Sequence, residues 1–152
     1  PGRHRLLEFR DRVTEAIAAA ATTSGTPTFK LDVAVPVASI GRVVDVARRA
    51  AELQHARLIP FGHLAEGNLH LNFLDAADPD HIADVVLSAV AGLGGTIAAE
   101  HGVGIAKTQW MHLVRSDGEL AAQRAITLAL DPRGILNPGV LDPSTDGVTT
   151  RR

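Results

Sequence analysis

Between residues 29 and 101 the apolar side chains switch repeatedly between two spacings, and that order restricts the fold more than any other property of the chain. In "FKLDVAVPV", Phe29, Leu31, Val33, Val35 and Val37 alternate with Lys30, Asp32, Ala34 and Pro36, the period of a strand with one buried face. Pro36 belongs at its end or on an edge. Ser39 stands where it can cap a helix through "IGRVVDVARRAAELQ", whose Ile40, Val43, Val44, Ala47 and Leu53 form one apolar side. "ARLIPFGHL" and "NLHLNFL" read as two strands joined by a tight turn. "DPDHIADVVLSAVAGLG" opens on aspartate and proline and closes on glycines, as helices do. "GGTIAAEHGVG" reads as a short strand running into a glycine-rich bend.

Helical spacing also covers residues 3–23, before the first strand, and about 117–130, after the last. The final helix stops at "DPRG", and residues 137–152 read as an extended tail. Between the outer helices the order is β-α-β-β-α-β, the ferredoxin-like split βαβ arrangement. The expected class is therefore α+β, an antiparallel sheet with helices on one face, plus the C-terminal helix and tail. A chain of 152 residues without low-complexity tracts is long enough for one core of its own.

Composition removes several functions. The net charge of -2, the scattered arginines, the aromatic content of 3% and the lack of tyrosine argue against nucleic-acid binding. Lys30 and Lys107 are the only lysines, and so stand out as compact charges. With no cysteine, only His, Asp and Glu remain as metal ligands. No run of about 18 apolar residues and no signal-peptide pattern occurs, so a cytoplasmic protein without a membrane span is expected.

The chemistry concentrates in "GHLAEGNLHLN". A hairpin with an even loop centred between Glu66 and Gly67 pairs Leu64 with Leu69 and His63 with His70. Opposed residues have Cβ atoms about 4.5–5.5 Å apart on one face, a separation from which two imidazoles converge on one ion. Asn72 shares that face by period two, whereas Leu64, Leu69, Leu71 and Phe73 turn toward the helices. A polar solvent face is the plainer reading of the same residues. A catalytic zinc-type site takes three protein ligands and an open position. Glu100, at the end of an apolar strand beside Gly102 and Gly104, is the third candidate, with His101 at the same mouth. An acidic strand end followed by a turn is the alternative. His4, His55, His81 and His112 fall on helices or their edges and read as surface groups.

"GHLAEGNLHLN", "GGTIAAEHGVGIAK" and "LDPRGILNPG" together resemble the C-terminal cap domain of FAD-linked oxidases of the vanillyl-alcohol-oxidase superfamily. The nearest likeness is to D-2-hydroxyacid dehydrogenases of the D-2-hydroxyglutarate dehydrogenase type, with D-lactate and glycolate dehydrogenases as neighbours. The resemblance implies a divalent metal, usually zinc, on His63, His70 and Glu100. It implies substrate contacts from Asn72 and His101, with His101 as the base. "RDRVTEA" and "FKLDVAVPV" are similar to the family's substrate-gripping segments, which implicates Arg10, Thr14 and Lys30. Ala65 and Glu66 depart from the commoner glycine-aspartate pair in the turn, which leaves its geometry open.

The implied reaction oxidises a D-2-hydroxyacid to the 2-oxoacid. The metal chelates the substrate, His101 removes the hydroxyl proton, and hydride passes to FAD. Two cations, Arg10 and Lys30, suit a dicarboxylate. No glycine-rich phosphate loop follows a strand, so residues 1–136 are expected to be the substrate domain, with FAD held by a separate FAD-binding domain of the same parent chain. The electron acceptor is not indicated. Two rivals stand beside this reading. One is a metal-assisted hydrolase, with Glu66 as the carboxylate that activates water; the other is a non-catalytic ferredoxin-like binding module.

Overall fold

The computed structural model describes residues 2–140. Helices α1 (Gly2–Asp11) and α2 (Val13–Ser24) take the place of the single helix expected over 3–23, separated at Arg12. β1 (Phe29–Ala34), α3 (Ile40–Leu53), β2 (Arg57–Phe61), β3 (Asn68–Leu74) and α4 (Pro79–Gly92) follow in the expected order. Ser39 does not cap α3 through its side chain, because it closes a 3-10 turn, Val37–Ser39, that leads into the helix. Asp78 does cap α4, accepting the His81 amide at 3.0 Å.

The sheet is antiparallel, in the order β1-β3-β2. Leu31 and Val33 of β1 and Leu69, Leu71 and Phe73 of β3 point to one face. There they meet Val43, Ala47, Ala50 and Ala51 of α3 and Ile82, Val86, Leu87 and Val90 of α4. Each large side chain removed from water contributes about 1.5–3 kcal/mol, so this face holds the fold together. α2 contacts β3 from the opposite face and buries Ile17. The mixed helix and sheet architecture is the α+β class read from the sequence.

The fourth strand is shortened to one bridge. Thr96 exchanges two backbone hydrogen bonds with Ala34, at 2.8 and 3.1 Å, and the ladder then stops. Beyond it the chain forms α5 (Gly104–Lys107), a 3-10 segment (Thr108–Leu113) and α6 (Asp117–Leu130). α6 opens with a capping box between Ser116 and Glu119. Residues 131–140 turn back rather than extend. The Leu136 amide donates to Asp131 Oδ2 at 2.7 Å, and the Thr108 hydroxyl donates to the Val140 carbonyl at 3.2 Å. Residues 141–152 of the expected tail lie outside the described residues. Among the described residues no helix is long and apolar enough to cross a membrane.

Candidate active site

The hairpin register differs from the one expected. Phe61, not His63, is paired with His70, and Ile59 with Asn72. The strand ends at Phe61, and His63 opens a loop that continues as the 3-10 turn Leu64–Glu66 and closes on Gly67 in the left-handed conformation. The displacement is two residues, so the faces are kept. Leu64, expected in the core, is exposed on that turn. Ala65 has no positive φ, so the departure from glycine there costs nothing; Gly67 carries the left-handed residue instead.

His63 nevertheless reaches the site. Its ring lies 6.1 Å from that of His70, edge to face, and Nε2 stands 3.5 Å from Glu100 Oε1. His70 Nε2 is 3.9 Å from Glu100 Oε2. One ligand atom from each of His63, His70 and Glu100 falls within 4.8 Å of the other two. Ligands about 2.0–2.1 Å from a tetrahedral ion lie about 3.3 Å from one another. Two nitrogens and one oxygen so grouped therefore suit a divalent ion of zinc type.

Asp32, a residue the sequence reading passed over, organises this cluster. It is buried, and its Oδ2 accepts the backbone amides of Glu100 at 2.7 Å and His101 at 3.0 Å. Its Oδ1 has no hydrogen bond and faces His70 Nδ1 at 3.3 Å. Burial alone would raise the Asp32 carboxyl, but the two amide bonds, with the imidazoles of His101 and His70, outweigh it and hold the group below the usual carboxylate range. Asp32, His70 and His101 also form a possible ligand group. With Oδ2 already accepting two amides, Asp32 suits orienting His70 better than coordinating an ion, and it leaves Nε2 of His70 toward Glu100.

A cavity of about 560 Å³ opens on the same side, lined by Thr14, Lys30, Asp32, Phe61, His70, Asn72, Glu100, His101 and Lys107 among others. Lys30 pairs with Asn72 and Asp32 with His70 across β1 and β3, so all four share the face opposite the core. Asn72 is buried and donates to the Ile59 carbonyl at 3.2 Å. His101 is exposed, with Nδ1 3.6 Å from Asp32 Oδ2. Arg10 falls on α1, and its side chain is outside the described set. Glu66 is exposed on the 3-10 turn and belongs to neither ligand group.

No site role follows from the sequence for three further contributors. Asn68 is buried and its side-chain amide donates to Glu100 Oε1. Phe61 packs its ring 4.9 Å from that of His70. Lys107, noted only as one of two lysines, is buried and donates to the carbonyls of Asp32 and Ile97. The signal for Asp32 was its period-two relation to Lys30; the other three depend on contacts that no local pattern encodes.

Residues 2–141 match the family described as FAD linked oxidases, C-terminal domain. The chain belongs to that family. The resemblance read from its motifs is thereby borne out. The mitochondrial D-2-hydroxyglutarate dehydrogenase of Danio rerio is 34% identical over 137 residues, covering 88% of this chain and 25% of that protein. The D-2-hydroxyglutarate dehydrogenase of Xanthomonas citri pv. viticola is 34% identical over 158 residues, 95% of this chain and 32% of that one. That of Stutzerimonas stutzeri is 40% identical over 91 residues, 54% of this chain and 20% of that one. The chain thus spans about a third or less of the length of these relatives.

Proposed function

We propose that this domain forms the substrate side of a flavin-dependent dehydrogenase that oxidises a D-2-hydroxyacid to the 2-oxoacid. The observation that carries the reading is the placing of Glu100 and His101 by one buried carboxylate, beside His70, at the mouth of the cavity that Lys30 and Asn72 also line. Family membership supports FAD as the cofactor, held by an FAD-binding domain of the same parent chain.

His63, His70 and Glu100 would hold the divalent ion, with zinc the first choice for this donor set. When bound, the ion supplies a Lewis acid for the oxygens of the hydroxyacid and the flavin supplies the hydride acceptor. His101 takes the hydroxyl proton as general base. The Asp32 carboxylate near its Nδ1 favours the tautomer that leaves Nε2 free to accept. Lys30, Asn72 and Thr14 bind and orient the acid from the cavity wall, and Arg10 joins Lys30 in neutralising carboxylate charge. Two cations in that role favour a dicarboxylate. A hydrolase would need a carboxylate beside the cluster to activate water; Glu66 lies outside it, and Asp32, which borders it, is committed through Oδ2 to two backbone amides.

Metal binding is tested first, on this chain after chelator stripping and zinc readdition. One ion per chain is expected, lost in His63→Ala, His70→Ala and Glu100→Ala; a folded wild type that takes up none would sink the metal assignment. Activity is tested in the full-length flavoprotein by anaerobic flavin reduction with D- and L-2-hydroxyacids. His101→Gln should slow reduction by the D-acid by about 10²–10⁴-fold, and unchanged reduction would remove His101 as the base. Arg10→Ala and Lys30→Ala should weaken dicarboxylates more than monocarboxylates.

A further inference from the structure

Beyond Thr96 the chain still runs beside β1, but no strand ladder holds it there. This is the segment that carries Glu100 and His101. Two non-backbone groups take over. Asp32 Oδ2 accepts the amides of Glu100 and His101, and Lys107 Nζ donates to the carbonyl of Asp32 at 2.8 Å and of Ile97 at 2.7 Å. We propose that Lys107 is a positioning residue: its ammonium substitutes for the missing strand hydrogen bonds, clamps Ile97 to β1 and so holds Glu100 and His101 in place over His70. The assignment rests on the roles given above to Glu100 and His101.

Burial of a lysine is costly. Desolvation depresses the Lys107 ammonium, only partly opposed by the charge of Asp32. A methionine would fill the same space without that cost, so what the lysine adds is donors. An ammonium has three N–H groups, and two are engaged by carbonyls on either side of the gap between β1 and the Ile97 segment. Those carbonyls would otherwise be buried acceptors without partners, a state that costs free energy. Gly102 and Gly104, both at positive φ, turn the chain so that Lys107 comes back to Ile97, ten residues earlier. Asp32 is thereby gripped twice, through its carbonyl by Lys107 and through its carboxylate by the amides of the site.

The test is amide hydrogen exchange on the metal-free chain, comparing Lys107→Met and Lys107→Arg with wild type. In Lys107→Met the Glu100 and His101 amides should exchange at least tenfold faster while those of Leu71 and Val86 keep their rates. Lys107→Arg, which retains donors, should restore protection to within a few-fold. Zinc affinity should fall tenfold or more in Lys107→Met and recover in Lys107→Arg. Unchanged exchange at Glu100 and His101, or one common acceleration at every amide, would overturn the proposal. If the methionine variant does not fold, Lys107→Gln, with two N–H donors on a shorter arm, replaces it; failure of that variant to fold would also overturn a local role. A wild type that binds no zinc would defeat the metal reading and leave the exchange comparison intact.

Discussion

Oδ2 of Asp32 accepts the backbone amide of Glu100 at 2.7 Å, joining two positions 68 residues apart in the chain. The same atom accepts the His101 amide, while Oδ1 faces His70 Nδ1. One carboxylate on β1 therefore sets the spacing between a strand histidine and a loop that has no ladder of its own.

Asp32→Asn keeps the shape and removes the charge that two amides and two imidazoles share. The variant should lose about 1–3 kcal/mol of stability in urea at pH 7, and its zinc affinity should fall about 10–100-fold. Because the folded carboxyl titrates below its unfolded value, its contribution is fully present above about pH 4 and fades as pH drops below that, toward the folded value. The acid limb of stability should accordingly be flatter in Asp32→Asn, and two superimposable profiles would contradict the role.

Gly67→Ala tests the loop that carries His63. A Cβ there would fall 1.9 Å from the Val35 carbonyl oxygen, at a φ of +74° that a side chain rarely adopts. Backbone cannot yield as a flexible side chain can, so a loss above about 2 kcal/mol is expected. Zinc binding should weaken with it, since His63 leaves β2 through this turn. Thermal unfolding and zinc titration read both.

The two histidines should separate in stability while agreeing in metal binding. The His63 side chain is 54% exposed, whereas that of His70 is 15% exposed and packed on Phe61. His63→Ala should change stability by less than about 0.5 kcal/mol, and His70→Ala should cost about 1–2 kcal/mol. Urea unfolding of the metal-free variants distinguishes them; equal losses would mean that the His63 loop is packed more tightly than its exposure indicates.

Lys107 makes an alkaline prediction. Its folded pKa lies below the ordinary 10.5 because burial disfavours the charge. Over the interval between the depressed value and 10.5 the unfolded chain binds more protons, so stability should rise with pH there. The chain has no tyrosine or cysteine to mask the effect. In Lys107→Met that rise should disappear, as followed by urea unfolding across pH 8–11.

Local spacing in the sequence was enough to place α3, α4, α6 and the three strands, because alternation of apolar residues has one outcome once a single face must be buried. It also placed Lys30 with Asp32, and His70 with Asn72, on the polar side of their strands, since a register shift of two residues leaves period two intact; the pairing of β1 with β3 then put all four on one face. The family motifs singled out His63, His70, Glu100 and His101 before any geometry was known. Tertiary structure decided the rest. The pairing of His70 with Phe61 follows from a turn that closes on Gly67 against the Val35 carbonyl, a contact between residues far apart in sequence. The fourth strand stops after Thr96, and the side chains of Asp32 and Lys107 hold backbone groups of the segment beyond it. Contacts of that kind depend on which distant atoms arrive within about 3 Å of each other, and spacing along the chain carries no record of them.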